Sequence, residues 1–305
     1  MKKHPVISGL VLLILIGTLF YLYFYRVGAN SGTVVKRGFT LSEKVGVVPI
    51  EGVISDSAEI TGYIDEFAKD NSIVAVVVRI DSPGGGVAAS QEIYDAIVAL
   101  RKKKKVVVSM GSVAASGGLL IACAGDKIVA NPGTITGSIS AIMQFANIEE
   151  LLSKIGVKST VVKSGPYKDI GSPMREMTQE ERAIIQELID DIYDQFVEVI
   201  VRERKLTRKQ VETIADGRVF SGRKAKDLGL VDELGDMAAA ARLASSLAGK
   251  GDNFDLVYPQ KKRSSFLSIL WSKQPHKSAD RWPRSFKKAP KQVIFTSPDT
   301  FHETI

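Results

Sequence analysis

Residues 73–86 read IVAVVVRIDSPGGG, a run of mostly β-branched residues that ends in three glycines. An uninterrupted apolar run of this length is typical of a strand buried on both faces, as in parallel sheets covered by helices. Around it, short apolar runs alternate with amphipathic stretches. The pattern predicts further strands at 45–54, 105–109, 127–129 and 159–163, and helices at 60–69, 91–101, 116–124 and 179–204. This alternation predicts an α/β fold with a mostly parallel sheet.

An uncharged stretch of 21 residues lies near the amino terminus, PVISGLVLLILIGTLFYLYFY at 5–25. As a helix it would be about 31 Å long, enough for a bilayer core of about 30 Å. Tyr21, Tyr23 and Tyr25 cluster at its end, as in an interfacial aromatic belt. The stretch predicts a single-pass transmembrane anchor with the remaining chain on the extracytoplasmic side. A cleaved signal peptide is the alternative, because 27–29 (Val-Gly-Ala) forms a passable cleavage site.

Composition divides the chain into four segments. We predict a cytoplasmic stub and anchor at 1–27, a linker at 28–43, a folded domain at 44–258 and a basic tail at 259–305. Between Lys261 and Lys291 there are ten Lys/Arg and one Asp, a net of +9, so the rest of the +7 chain carries −2. The polar, proline-containing tail is typical of a disordered segment. The basic balance belongs to this tail, and we expect no nucleic-acid partner.

The placement of histidine and cysteine excludes several kinds of chemistry. The three histidines, at 4, 276 and 302, lie at the two ends of the chain. A Ser-His-Asp triad needs a histidine held inside the fold, and zinc sites rely on clustered His and Cys ligands. The single cysteine, Cys123, lies in an apolar run and is interpreted as a small buried residue. We therefore expect no metal site, no cofactor and no histidine-dependent nucleophile.

Two glycine-rich turns are candidates for binding and chemistry. The turn at 81–86 leaves backbone N–H groups free to approach an anion, but it lacks the Lys-Ser/Thr ending of a P-loop. The turn at 111–118, GSVAASGG, joins a predicted strand to an apolar helix. Ser116 could serve only as the helix N-cap. A serine in a strand-turn-helix, followed by the N–H of Gly117 at the positive helix end, is also a candidate nucleophile.

A nucleophilic serine needs a base, and without histidine lysine is the usual partner, provided that its pKa is lowered by burial. Lys168 lies in a turn after the predicted strand at 159–163. The residues alone do not rank Lys168 above Lys163 or Lys127.

The motifs taken together resemble the signal peptide peptidase A family in its short bacterial form, within the Clp protease and crotonase superfamily. The likeness spans about 45–260 and keeps its order. The matching motifs are DSPGG at 81–85, AASGG at 114–118, TGSI at 136–139, YKDI at 167–170 with SP at 172–173, DGRVFSG at 216–222 and LGLVDELG at 228–235. The resemblance implies a Clp protease/crotonase-like fold of repeated ββα units after one transmembrane helix.

The resemblance also implies roles for individual residues. Ser116 corresponds to the nucleophile and Lys168 to the general base and acid. Ser138 corresponds to the serine that orients the lysine, while Gly85 and Gly117 correspond to the two oxyanion-hole donors. One departure is Ser140, which stands where the family usually has glycine.

A membrane-anchored serine endopeptidase with a Ser-Lys dyad is the function that this family implies. It would degrade remnant signal peptides or similar apolar peptides at the bacterial inner membrane. Its assembly would be a homo-oligomeric ring or dome, with an octamer as one candidate, and the dyad would be shared between protomers. Alternatives are a peptidase of the same fold that cleaves a specific membrane protein such as a stomatin-like partner, a crotonase-type acyl-CoA hydratase or isomerase, and a non-catalytic scaffold.

Overall fold

The computed structural model describes residues 15–22 and 43–260. Residues 15–22 are helical and exposed, and we label this segment α1. The rest of the predicted anchor, nearly all of the linker and the tail beyond 260 lie outside the described residues. Within the two described ranges, no helix combines the length and the apolar character that a membrane crossing requires.

The folded part begins with alternating strands and helices. The elements in order are β1 (Glu43–Glu51), α2 (Ala58–Lys69), β2 (Ile73–Ser82), α3 (Val87–Arg101), β3 (Lys105–Ala115), α4 (Gly117–Ala122), β4 (Lys127–Ala130), β5 (Ile135–Gly137), α5 (Glu149–Lys154), α6 (Gln179–Arg204), α7 (Arg208–Glu212), β6 (Val219–Ser221), α8 (Gly222–Asp227), β7 (Glu233–Leu234), α9 (Met237–Leu247) and β8 (Phe254–Val257). The ββα unit that the family resemblance implies occurs once among the described residues, at β4–β5–α5. From β1 to β4, single strands alternate with helices.

The strands form one sheet in the order β6-β5-β3-β2-β1-β8, with β4 paired to β3 and β7. All of these pairs are parallel except β5–β6. The first half of β3 pairs with β4 and its last three residues pair with β5. This sheet confirms the prediction of an α/β fold with a mostly parallel sheet.

The sheet is buried on both faces. Alternate residues of β2 point to opposite sides, so that Val76 and Val78 join the larger core and Ala75 and Val77 join the smaller one. Helices α2, α3, α4 and α6 contribute to the larger core, and the alanine face of α9 covers the other side. This double coverage explains why the run at 73–80 is apolar at nearly every position.

Helix α6 has the bounds that the sequence predicted, Gln179–Arg204, and Thr178 caps it. The Thr178 side chain accepts from the Glu181 N–H, and the Glu181 carboxylate accepts from the Thr178 N–H. This capping box satisfies two backbone donors that the helix itself cannot pair.

The predicted strand at 159–163 is wrong. These residues have no regular secondary structure, and Val162 is 97% exposed. A strand needs a hydrogen-bonded neighbour, and within the described residues no strand of the sheet pairs with this segment. The boundaries of other predicted strands also differ: β1 runs from Glu43 to Glu51 rather than 45–54, β2 and β4 end one or two residues later than predicted, and β3 continues to Ala115 because it gains β5 as a second partner.

Candidate active site

Ser116 lies at the turn between β3 and α4 in an unusual backbone conformation, with φ 53° and ψ −121°. A positive φ in a residue other than glycine costs on the order of 1–3 kcal/mol and persists only where the surroundings enforce it. Here the Ser116 N–H donates to the Gly137 carbonyl at 2.9 Å, which ties the turn to β5. The serine side chain is half-buried at this turn.

Ser138 occupies the matching position on the neighbouring strand. Ala115 of β3 pairs in register with Gly137 of β5, so Ser116 and Ser138 are the residues that directly follow one pair. Both have a φ of 53°. The Ser138 N–H donates to the Arg218 carbonyl at 2.8 Å, which fixes this second turn to the chain entering β6. The structure therefore brings the two predicted serines to the same edge of the sheet.

The turn after β2 packs directly against the Ser116 turn. Gly84 has a φ of 99°, and a Cβ added there would lie 2.7 Å from the Gly117 nitrogen and 2.9 Å from the Ser116 Cβ. Only glycine fits, because both the conformation and the space exclude a side chain. The two glycine-rich turns of the sequence are thus in contact.

The backbone donors of these turns distinguish Gly85 from Gly84. The Gly84 N–H already donates to the Ser82 Oγ at 3.1 Å. In the part of the chain that the structure describes, the N–H groups of Gly85 and Gly117 donate to no loop or side-chain acceptor. Gly85 and Gly117 also line one cleft together with Ser116. Two free N–H groups beside a serine hydroxyl are what an oxyanion hole requires.

The cleft beside Ser116 has a volume of about 130 Å³. This space is close to that of an apolar cavity of about 150 Å³ known to hold a benzene ring. Its lining is mainly apolar and combines the turn residues with one loop and two helices. The lining residues are Gly85, Val87, Ser90, Gln91, Ser116, Gly117, Leu120, Ser140, Ala141, Ile142, Met143, Ile189, Ile192, Gln195 and Phe196.

Ser90 is a cleft residue that the sequence did not indicate. It is 1% exposed, and its Oγ is the one buried side-chain oxygen among the described residues that has no hydrogen-bond partner. A Cβ added to Gly117 would lie 2.4 Å from this Oγ, so the hydroxyl lies against the Ser116–Gly117 turn. Ser90 lies on α3 but just before the helix predicted at 91–101, and no sequence motif marks it for such a role.

Lys168 is placed differently from the other predicted site residues. It is exposed in a turn at 165–170, and it is not among the residues that line the Ser116 cleft. No hydrogen bond or ion pair of its ammonium group is recorded with any described residue. One chain therefore brings Ser116, Gly85 and Gly117 together at one cleft and places Ser138 at the same edge of the sheet, while Lys168 is not among the residues that line this cleft.

Cys123 is fully buried, and this burial raises the pKa of its thiol to about 12. The thiol is thus protonated and unreactive near neutral pH. Within residues 15–22 and 43–260, no group of His, Cys, Asp and Glu side chains is placed to hold a metal ion.

Comparisons with known proteins identify the family to which the chain belongs. The model of Peptidase family S49 matches residues 98–250, and that of Clp protease matches residues 55–135. The Synechocystis protein slr0021 is 53% identical over 57% of this chain and 63% of its own length. The Methanocaldococcus jannaschii protein MJ0651 is 37% identical over 76% of this chain and 74% of its own length. Protease 4 of Salmonella typhi is 38% identical over 67% of this chain and 34% of its own length.

The fold and the paired glycine-rich turns define a chain of the Clp protease-like α/β class. Within that class, the chain belongs to peptidase family S49. The membership predicted from the order of the motifs is confirmed, and with it the assignment to a peptidase family.

Proposed function

We propose that this chain is a membrane-anchored serine endopeptidase in which Ser116 is the nucleophile and Lys168 is the general base. The observation that carries the proposal is the position of Ser116, held at a positive φ beside a cleft and two free N–H groups. Membership in a peptidase family supports peptide hydrolysis as the reaction. The sequence has no histidine between residues 5 and 275, so the base must be another side chain.

The proposed reaction follows from these groups. The uncharged Lys168 amine takes the proton of the Ser116 hydroxyl as Oγ attacks the substrate carbonyl carbon. The N–H groups of Gly85 and Gly117 stabilise the negative charge that develops on the carbonyl oxygen. Lys168 then gives the proton to the leaving amine, which leaves an acyl group on Ser116. A water molecule, deprotonated by the same lysine, hydrolyses this ester, while the Ser138 hydroxyl orients the lysine.

The position of Lys168 supports a dyad formed between two protomers. Its side chain is exposed and outside the cleft of its own chain. A base must come within about 3 Å of the proton that it abstracts. A homo-oligomer in which Lys168 of one protomer reaches Ser116 of the next satisfies this requirement, and in such an assembly an isolated protomer is inactive.

The cleft supports apolar peptides as substrates. Leu120, Ile142, Ile189 and Phe196 supply apolar walls next to Ser116. Remnant signal peptides have matching apolar segments, and the uncharged stretch at 5–25 would hold the enzyme at the bacterial inner membrane. A specific membrane protein, such as a stomatin-like partner, is an alternative substrate for the same dyad.

The acyl-CoA alternative lacks support in the cleft. A crotonase-type hydratase or isomerase would use carboxylates as acid and base beside the polarised thioester. The residues that line the Ser116 cleft include no Asp and no Glu. We therefore retain peptide hydrolysis as the proposed reaction.

The test compares Ser116→Ala and Lys168→Ala with the wild-type chain, purified in detergent, on an internally quenched apolar peptide. We expect each change to lower kcat by at least about 1000-fold, because nucleophile and base act as a unit. Wild-type activity in either variant would exclude that residue from the dyad.

Sharing between protomers is tested by mixing the two inactive variants before reassembly. Restored hydrolysis in the mixture is the expected result, since some interfaces then combine an intact Ser116 with an intact Lys168. Absence of activity at every mixing ratio, with oligomers formed, would place the dyad within one chain.

A further inference from the structure

Both residues that flank Lys168 are tethered to the first turn of helix α6. The Tyr167 hydroxyl donates to the Glu180 carboxylate at 3.3 Å. On the other side of Lys168, Asp169 is bound by Arg175, which in turn binds Glu181. The lysine itself thus lies free between two anchored neighbours.

Arg175 connects the two carboxylates with both edges of its guanidinium group. Its Nε and Nη2 donate to the Asp169 carboxylate at 2.9 and 2.8 Å. Its Nη1 donates to Glu181 Oε2 at 2.8 Å, and Nη2 also contacts Glu181 Oε1. A planar guanidinium can hold two carboxylates in this way, whereas the single ammonium group of lysine cannot.

The contacts of Arg175 are better shielded than an ordinary surface ion pair. The side-chain exposure is 30% for Arg175, 13% for Asp169 and 3% for Glu181. Glu181 is also fixed by the capping box with Thr178 at the start of α6. Arg175 therefore links the Lys168 turn to a helix of 26 residues whose later turns wall the Ser116 cleft.

The two carboxylates of this network are held ionised at neutral pH. Hydrogen bonds from Arg175 lower the pKa of Asp169 far below its usual value, assisted by Lys163. The same guanidinium, with the Thr178 N–H, lowers the pKa of Glu181 to about 2. The Lys163 ammonium also donates to the Pro166 carbonyl at 2.6 Å, which closes the turn from the other side.

We propose that Arg175 is a positioning residue for the reaction: it fixes the turn that carries Lys168 against helix α6, so that the Lys168 amine is held where it can reach Ser116. This inference rests on the proposed dyad and adds a residue that does not touch the substrate. Arg175 acts through Asp169, and its effect on the rate therefore depends on Lys168.

The experiment measures kcat and KM for the full chain carrying Arg175→Lys or Arg175→Ala. We expect kcat to fall by about 100-fold with KM nearly unchanged, because a displacement of about 1 Å can cost that much. Added methylguanidine should restore part of the activity of Arg175→Ala.

Asp169→Asn is the second variant, because it weakens the Lys168 side of the network and leaves the bond between Arg175 and Glu181 in place. It should show a comparable fall in kcat, again with KM nearly unchanged. Arg208→Ala is the matched control, since Arg208 pairs with Asp194 and Glu212 far along the chain from Lys168. Its kcat and KM should match the wild type.

Three results separate the possible failures. Activity in Lys168→Ala would overturn the dyad itself. An inactive Lys168→Ala together with wild-type kcat in Arg175→Ala would leave the dyad intact and overturn the role of Arg175. Wild-type kcat in Asp169→Asn, accompanied only by a lower Tm, would likewise reduce the network to a structural role.

Discussion

The two regions that contribute to the proposed dyad are held by different forces. The Ser116 region, at the ends of β3 and β5, is fixed by backbone hydrogen bonds and by glycines that admit no side chain. The Lys168 region, between β5 and α6, has no sheet partner and is fixed by side-chain ion pairs around Arg175. Hydrogen bonds between backbone groups do not titrate, and the closely packed glycines leave no room for a larger side chain. Ion pairs respond to pH and to the identity of single charged groups.

This difference predicts which kind of change damages each region. A change of volume should be most harmful in the Ser116 region, and a change of charge should be most harmful in the Lys168 region. The following predictions compare the two regions directly.

The largest effect is expected for Gly84→Ala. Its new Cβ would lie 2.7 Å from the Gly117 nitrogen at a φ of 99°, so the Ser116 turn must move. Loss of one oxyanion donor alone costs about 100- to 1000-fold in kcat, and we expect at least that loss in peptide hydrolysis. Gly62→Ala is the control, because no atom lies within 4 Å of the added Cβ on helix α2. Normal kcat for Gly84→Ala would contradict the tight packing of the two turns.

The second-largest effect is expected when the pH is lowered. The folded-state pKa of Glu181 is about 2, against an ordinary value of 4.5. A carboxyl with a lowered pKa stabilises the folded state above its ordinary pKa, and this stabilisation is lost as the pH falls toward the folded-state value. Hydrogen-exchange protection at 165–175 should therefore fall between about pH 4.5 and about pH 2, before protection at 114–118 falls.

Glu181→Gln sharpens this test because it removes the titrating group. The variant should have low protection at 165–175 already at neutral pH and little further loss on acidification. Equal protection of both regions at every pH, in wild type and variant, would show that ion pairs do not hold the Lys168 region.

The smallest effect is expected for Ser90→Ala in the cleft. Because the Ser90 Oγ has no partner, its removal should leave the free energy of unfolding unchanged or raise it by up to about 1 kcal/mol. Ser245→Ala is the matched control, since Ser245 is equally buried but donates to the Gly251 carbonyl at 2.7 Å. That change should lower the unfolding free energy by about 1 kcal/mol. Denaturant unfolding of both variants measures the difference, and equal losses would show that Ser90 has a partner.

Much of the Ser116 region could be predicted from the sequence. The buried strand at 73–80 and the strand-turn-helix around Ser116 follow from apolar runs and glycine placement. Helix α6 was predicted to the residue because Thr178 and Glu181 mark its start. The short strands β5 to β8 have two to four residues each and leave no comparable periodicity.

The Lys168 region could not be predicted in the same way. The apolar residues at 159–163 satisfy a strand pattern, but a pattern does not reveal whether a partner strand is present. Arg175 is six positions from both Asp169 and Glu181, and neither a helical nor a strand period predicts contacts at that spacing. The ranking of Lys168 above other lysines came from the family resemblance, and its role remains a prediction.

The backbone at Ser116 has a consequence for how such a chain can change in evolution. Glycine adopts a φ of 53° without strain, so replacing this serine with glycine should stabilise the fold by about 1 kcal/mol or more while it abolishes the nucleophile. For a serine codon of the AGC or AGT type, one base change is enough. A duplicated gene with this change would thus encode a more stable subunit without the nucleophile. In the oligomer proposed above, with its shared dyad, that subunit would still supply Lys168 to its neighbour.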